Sequence, residues 1–105
     1  RITHIHSMRD RIELRNMDAC EFLETEGYWY SKATIFVDPP YWVKGKALYT
    51  HYYDEKDHME LAELLQNMYM SFPEPDIIVT YDNHPRIREM YPLAKQEAIQ
   101  RRYSI

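Results

Sequence analysis

The fold turns on one stretch, Ala33-Thr34-Ile35-Phe36-Val37-Asp38-Pro39-Pro40-Tyr41. Its first five residues are apolar or β-branched without alternation, the pattern of a strand buried on both faces inside a sheet. Asp38-Pro39-Pro40 then stops it, because two consecutive prolines remove two backbone donors and fix φ. Such a turn is stiff and holds its carbonyl groups in set directions. An aspartate and a neighbouring proline carbonyl are both acceptors, and together they match the two N–H donors of an exocyclic amino group. The ring of Tyr41 offers a flat base a stacking face worth about 1–3 kcal/mol. The plainer reading is a strand-ending Asp-Pro turn followed by a core tyrosine.

Upstream of this stretch, Ile12 and Leu14 alternate with charged neighbours and predict a short strand. It runs into Asp18-Ala19-Cys20-Glu21, where Asp18 suits a helix N-cap and Glu21, three residues on, completes a capping box. Phe22 and Leu23 give that short helix its apolar face, and Gly27 ends it. Downstream, residues 42–56 show no clear periodicity and predict a long loop, a feature usually tied to function in a compact domain. Leu61, Leu64, Leu65 and Met68 then recur at helical spacing, with Asp57 and Glu60 as the start signal. Pro73 and Pro75 break the chain. Ile77-Ile78-Val79-Thr80-Tyr81 predicts a second buried strand, ended by Asp82-Asn83. Pro85 opens another short helix with Ile87, Met90 and Tyr91 on one face, and Asp82 or Asn83 is expected to start it. Residues 97–105 predict a last strand. The alternation of strands and helices places the chain in the α/β class. Ligands in such sheets bind beyond the carboxyl ends of the strands. Three polar clusters fall there: Asp18, Asp38-Pro39-Pro40-Tyr41, and Asp82-Asn83.

Composition narrows the function further. A chain of 105 residues is one domain and hides roughly 60–65% of the surface its unfolded form exposes. Its 2 glycines, Gly27 and Gly45, lie far apart, which excludes both a G-x-G-x-x-G fingerprint and a Walker A loop. The formal net charge of -4 argues against a globally basic protein that coats nucleic acid, while leaving a local basic strip open. The single cysteine, Cys20, forms no internal disulfide, which suits a reducing cytoplasm. No apolar run approaches the roughly 20 residues needed to cross a bilayer, and no signal-peptide pattern opens the chain. The 10 tyrosines suggest packing or ring-stacking surfaces.

With these residues in view, the chain resembles the Dam-type adenine-N6-specific DNA methyltransferases of bacteria and phages. The resemblance spans nearly the whole chain. It runs through Asn16-Met17-Asp18-Ala19-Cys20, Phe36-Val37-Asp38-Pro39-Pro40-Tyr41, Tyr52-Tyr53 and Asp57-His58. It continues in Leu61-Ala62-Glu63-Leu64-Leu65 and Val79-Thr80-Tyr81-Asp82-Asn83. D-P-P-Y is the amino-methyltransferase signature, and the D-H-x-x-L-A-x-x-L helix favours this family over its relatives. The resemblance implies the C-terminal part of a Rossmann-like fold dependent on S-adenosylmethionine, a mostly parallel sheet with flanking helices, and a cytoplasmic setting in a bacterium or phage. By the same resemblance, Asp38 and the Pro39 carbonyl hold the target amino group, with Pro40 stiffening the turn, and Tyr41 stacks on a flipped adenine. Methyl transfer is then an in-line displacement in which positioning does most of the catalysis. Asp18 would accept from the adenine amino group of the cofactor, with the Ala19 N–H nearby and Asp38 at the methyl end. The helix cap and the cofactor contact are equally open readings of Asp18.

Other residues carry weaker signals. Lys44 and Lys46, flanking Gly45, fit contacts to the phosphates of double-stranded DNA, or an ordinary solvated loop. Trp42 and Tyr49 either pack over the base or anchor that loop. Cys20, on a short helix and expected to be buried, is no candidate nucleophile. The histidines lack zinc spacing, so no metal is expected, and His58 reads as structural. Arg101 and Arg102 suit either an edge strand kept soluble by charge, the favoured reading, or a DNA contact.

The family's glycine-containing cofactor motif, its first strands and its target-recognition region precede the Asp18 segment, and in its sheet two strands separate that segment from the Asp38 strand. The sequence starts at Arg1, and residues 1–105 therefore read as a partial catalytic domain. Alone, this chain is expected to bind S-adenosylmethionine weakly and to leave DNA unmethylated. Micromolar binding by calorimetry would contradict that. A bare sheet edge favours a homodimer. The competing readings are a non-catalytic module of the same fold and an amino-methyltransferase acting on RNA. A protein-glutamine enzyme is disfavoured, because it would usually begin the turn with asparagine.

Overall fold

The computed structural model describes residues 1–26, 32–44, 52–72 and 74–100. In chain order the elements are α1 (Ile2–Ser7), a 3-10 turn (Arg9–Arg11), α2 (Ala19–Glu26), β1 (Thr34–Val37), α3 (Glu55–Ser71), β2 (Asp76–Val79) and α4 (Pro85–Met90). Strands β1 and β2 pair in parallel, with Ile35 opposite Ile77, Phe36 opposite Ile78 and Val37 opposite Val79. Parallel strands need a long crossover, and α3 lies within it. The result is a small α/β domain with a two-stranded sheet and flanking helices.

The core is built on one stripe of α3. Leu61, Ala62, Leu65 and Met68 are buried and pack with Leu23 of α2, Ile87 and Met90 of α4, and Tyr91. Ile35, Val37, Ile77 and Val79 reach this cluster from one face of the sheet. The helix spacing read from Leu61, Leu65 and Met68 therefore holds. Its start lies earlier than Asp57 and Glu60 suggested. Asp54 is the N-cap: its Oδ1 accepts from the Asp57 N–H at 2.8 Å, and Asp57 Oδ2 accepts from the Asp54 N–H at 3.0 Å. Two orphan donors of the first turn are thus satisfied reciprocally. Gln66 fastens α3 to the end of α4 and the turn beyond it. It donates to the carbonyl groups of Ala62 and Met90 and accepts from the Leu93 N–H.

Several expectations are corrected. Neither strand is buried on both faces: exposure alternates along each, leaving Phe36 64% and Ile78 47% exposed. The apolar run misled because the second face has no covering layer among the described residues. Ile12 and Leu14 do not form a strand, and every residue from 1 to 16 is exposed. Alternation cannot make a strand without a neighbour to accept its hydrogen bonds, and the described sheet offers only β1 and β2. Residues 97–100 are likewise not a strand, and 101–105, with Arg101 and Arg102, lie outside the described residues. So do Gly27, Gly45, Lys46 and Tyr49. Among the described residues no helix is long and apolar enough to cross a membrane.

Candidate functional site

Because Val37 pairs with Val79, the carboxyl ends of both strands lie side by side, and the backbone ladder extends one step as the Thr80 N–H donates to the Val37 carbonyl. This puts Thr80 next to Asp38. The Thr80 hydroxyl donates to Asp38 Oδ1 at 2.8 Å. Asp38 is exposed, and its Oδ2 has no partner among the described residues. Pro39 beneath it is buried, while Pro40, Tyr41 and Trp42 are half-buried. One carboxylate oxygen is thus fixed by a neutral donor, on an exposed residue of a turn whose two prolines limit its motion.

The chain beyond the turn is tied to the second strand by Asp82. Its Oδ1 accepts from the Trp42 N–H at 2.7 Å and its Oδ2 from the Val43 N–H at 2.9 Å. A helix-start role for Asp82 or Asn83 is therefore corrected. The cap of α4 is His84, whose Nδ1 accepts from the Arg86 N–H, and Asn83 instead accepts from the Arg88 guanidinium. Histidine can take over the cap because one ring nitrogen of the neutral imidazole is an acceptor.

Trp42 sits against two imidazoles, His58 at 5.1 Å and His84 at 5.6 Å between ring centroids. These ring contacts tie the residue after the turn to α3 and to the start of α4. His58 is only 1% exposed, and its Nδ1 lies 2.7 Å from the Tyr81 hydroxyl. Tyr53 meets it edge-on at 5.3 Å. The buried Nε2 has no partner among the described residues, whichever tautomer the ring takes. Burial holds the His58 pKa below the ordinary histidine value, opposed by the carboxylates of Asp57, Asp82 and Asp54. Burial likewise pushes Tyr81 up, reinforced by Tyr91, and moves Tyr53 up to about 12 with the charge of Asp18 adding to it. These phenols stay protonated near neutral pH and serve as packing groups rather than as bases.

Asp18 is the N-cap of α2, its Oδ2 accepting from the Glu21 N–H at 3.1 Å. The cap reading of Asp18 thus describes one of its oxygens. The carboxylate remains exposed, and its second oxygen has no partner among the described residues. No hydrogen bond or ion pair connects Asp18 or Ala19 to the D-P-P-Y turn among those residues. Cys20 is half-buried rather than fully buried, and burial followed by the Asp18 charge raises its thiol pKa. Lys44 is exposed and forms no ion pair among the described residues. Among those residues no three metal-binding side chains converge. A groove of about 440 Å³ lies elsewhere, along α3 and α4 between Met59, Met70, Met90 and Leu93, and none of the turn residues lines it.

The structure thus joins Asp38, Pro39, Pro40, Tyr41 and Trp42 to Thr80 and Asp82. The part played by Thr80 was invisible in the sequence, where it reads as one more β-branched strand residue. Asp82 stood out only as a polar strand end. Comparison with models of known protein families, with curated proteins and with solved structures finds no match.

Proposed function

We propose that this chain carries the acceptor site of an S-adenosylmethionine-dependent adenine-N6 DNA methyltransferase, within a Rossmann-like arrangement of parallel strands. The observation that carries the reading is the Asp38 carboxylate. It stands at the carboxyl end of β1 on a proline-stiffened turn, with Oδ1 held by Thr80 and Oδ2 without a partner among the described residues. In this reading Asp38 Oδ2 and the Pro39 carbonyl accept the two N–H groups of a flipped adenine. The nitrogen lone pair is then left for the methyl group: the new C–N bond would form as the methyl–sulfonium bond breaks with its electron pair staying on sulfur, and the proton lost from nitrogen would pass to Asp38 Oδ2 or to water. Tyr41 stacks on the base, which offsets the few kcal/mol needed to unstack it. Trp42 and Asp82 keep the turn in place, and Lys44 meets a phosphate of the duplex.

S-adenosylmethionine supplies the methyl group when bound. The residues present fit one contact to it: Asp18 is exposed and, among the described residues, one of its carboxylate oxygens has no partner beside the cap bond, which makes it an acceptor for the adenine amino group of the cofactor. The outer edges of β1 and β2 have no strand partner among the described residues, and a second copy pairing there would cover them. A monomer by light scattering at high concentration counts against that assembly.

The test uses the protein as its gene encodes it, expressed in cells that lack adenine methylation. Total DNA is digested to nucleosides and N6-methyladenine is measured by mass spectrometry. The wild-type protein should introduce it and Asp38→Ala should not. Its absence with folded wild-type protein, or methyl groups found only in RNA, overturns the proposal.

A further inference from the structure

We infer that Asp82 is a positioning residue of the acceptor turn, so that the end of β2 sets where β1 presents Asp38. The inference rests on the function proposed above and deepens it. Pro39 and Pro40 have no N–H, so the turn cannot be knitted to the sheet by its own backbone donors at those two steps. The Trp42 and Val43 N–H groups, just past Tyr41, both go to the Asp82 carboxylate, at 2.7 and 2.9 Å across 40 and 39 residues of chain. Val43 is itself exposed, so its N–H had water as an alternative.

Hydrogen bonds to an ionised acceptor are roughly twice as strong as neutral ones. Two of them from consecutive peptide groups to the two oxygens of one carboxylate fix an orientation as well as a distance. Both Asp82 oxygens are occupied in this way, and the cap of α4 is supplied by His84 instead. The carboxylate is therefore committed to the loop. Two residues earlier, Thr80 fixes Asp38 Oδ1. The Asp38-to-Val43 loop is thereby held at its start by Thr80 and at its far end by Asp82, with Pro39 to Tyr41 suspended between. Tyr41, the stacking ring, immediately precedes the clamped peptide.

The experiment compares wild type, Asp82→Ala and the conservative Asp82→Asn in the full gene product, by two readouts. Amide hydrogen exchange is followed at Trp42 and Val43. In Asp82→Ala both should exchange at least about tenfold faster, while amides of α3 keep their protection. Steady-state methyl transfer is measured on the same samples. A loose turn misplaces Asp38 and Tyr41 after binding, so kcat should fall about 10-fold to 100-fold with KM for S-adenosylmethionine within about twofold, as misplacement of about 1 Å does. Asp82→Asn keeps one acceptor oxygen and should fall between the other two on both scales. Unchanged exchange at Trp42 and Val43, or faster exchange with unchanged kcat, overturns the inference. Wild-type protein that transfers no methyl group overturns the functional proposal instead, so the two failures appear in different samples.

Discussion

Phe36 and Leu61 are large apolar residues that the fold treats oppositely, and replacing each gives a direct test of the one-sided sheet. Phe36 remains 64% exposed on the outer face of β1, whereas Leu61 is 0% exposed in the stripe of α3. Burying a phenylalanine fully is worth about 1.5–3 kcal/mol. With about a third of its surface covered, Phe36→Thr should cost only about 0.5–1 kcal/mol, since threonine keeps the strand propensity. Leu61→Ala removes buried methyl groups and leaves a cavity, which costs about 2–5 kcal/mol. A domain of this length has a total of about 5–15 kcal/mol to lose, so that second change removes a large share.

The assay is urea unfolding monitored by far-UV circular dichroism, at two protein concentrations and with the slopes compared. Hydropathy alone would rank the phenylalanine as the costlier loss. A Phe36→Thr cost equal to or above that of Leu61→Ala would refute the reasoning, because the outer face would then have to be covered in the folded protein. If that cost grew with protein concentration, the cover would be a second copy.

The same contacts set three further outcomes. The His58 pKa is held down by burial, so the unfolded chain binds its proton more readily: the stability this group contributes is full above about pH 6.5 and is lost as pH falls toward the folded value. The urea midpoint should drop between about pH 7.5 and pH 5.5, and His58→Gln should flatten that drop; an undiminished drop in the variant contradicts the assignment. Asp54→Ala leaves the Asp57 N–H without its acceptor and should lower the thermal midpoint, with Asp54→Ser recovering most of the loss. Hydrogen bonds from Asp57 also hold the Asp54 carboxyl below its usual range, so this contribution should fade as pH falls below about 4. Finally, burial and the Asp18 charge raise the Cys20 thiol pKa, so alkylation near neutral pH should be slower in the folded protein than in urea; equal rates would place the thiol in water.

The helices were legible wherever their stabilisation is local or periodic. The Leu61, Leu65, Met68 stripe and the proline at the start of α4 are visible in the residues themselves, and so is the cap at Asp18. The start of α3 was misplaced by one turn because Asp54 and Asp57 both suit a cap, and only geometry shows them bonding each other. Strands fared differently. The strands expected at 33–37 and 77–81 are observed as Thr34–Val37 and Asp76–Val79, so the second ends two residues early, and whether a β-branched run is covered on one face or two depends on neighbours elsewhere in the chain. The same dependence undid the strand expected at Ile12 and Leu14, where Leu14 is 88% exposed.

The site was half legible for a related reason. D-P-P-Y announces itself because every element of the chemistry proposed for it is contiguous, from the carboxylate to the ring. Its supports are not contiguous, since Thr80 lies 42 residues beyond Asp38 and Asp82 lies 40 beyond Trp42. What joins them is the strand register. With Val37 opposite Val79, the next residues outward are Asp38 and Thr80, and the hydroxyl reaches the carboxylate. A slip of one residue would set Thr80 against Pro39 and turn every side chain of β2 to the other face, placing Ile77 and Val79 outward and Ile78 inward. The apolar pattern of β2 barely opposes such a slip, because Ile77, Ile78 and Val79 are interchangeable in kind. The polar residues after it do discriminate, since only the observed register gives Asp38 its donor. The contacts that shape the D-P-P-Y turn therefore also help select the pairing of the two strands that carry it. Thr80→Val should accordingly loosen the β1–β2 amides as well as the Asp38 carboxylate, whereas Asp82→Ala should loosen the turn and leave those ladder amides protected. Equal exchange along the ladder in the two variants would show that the register is set by the core face alone.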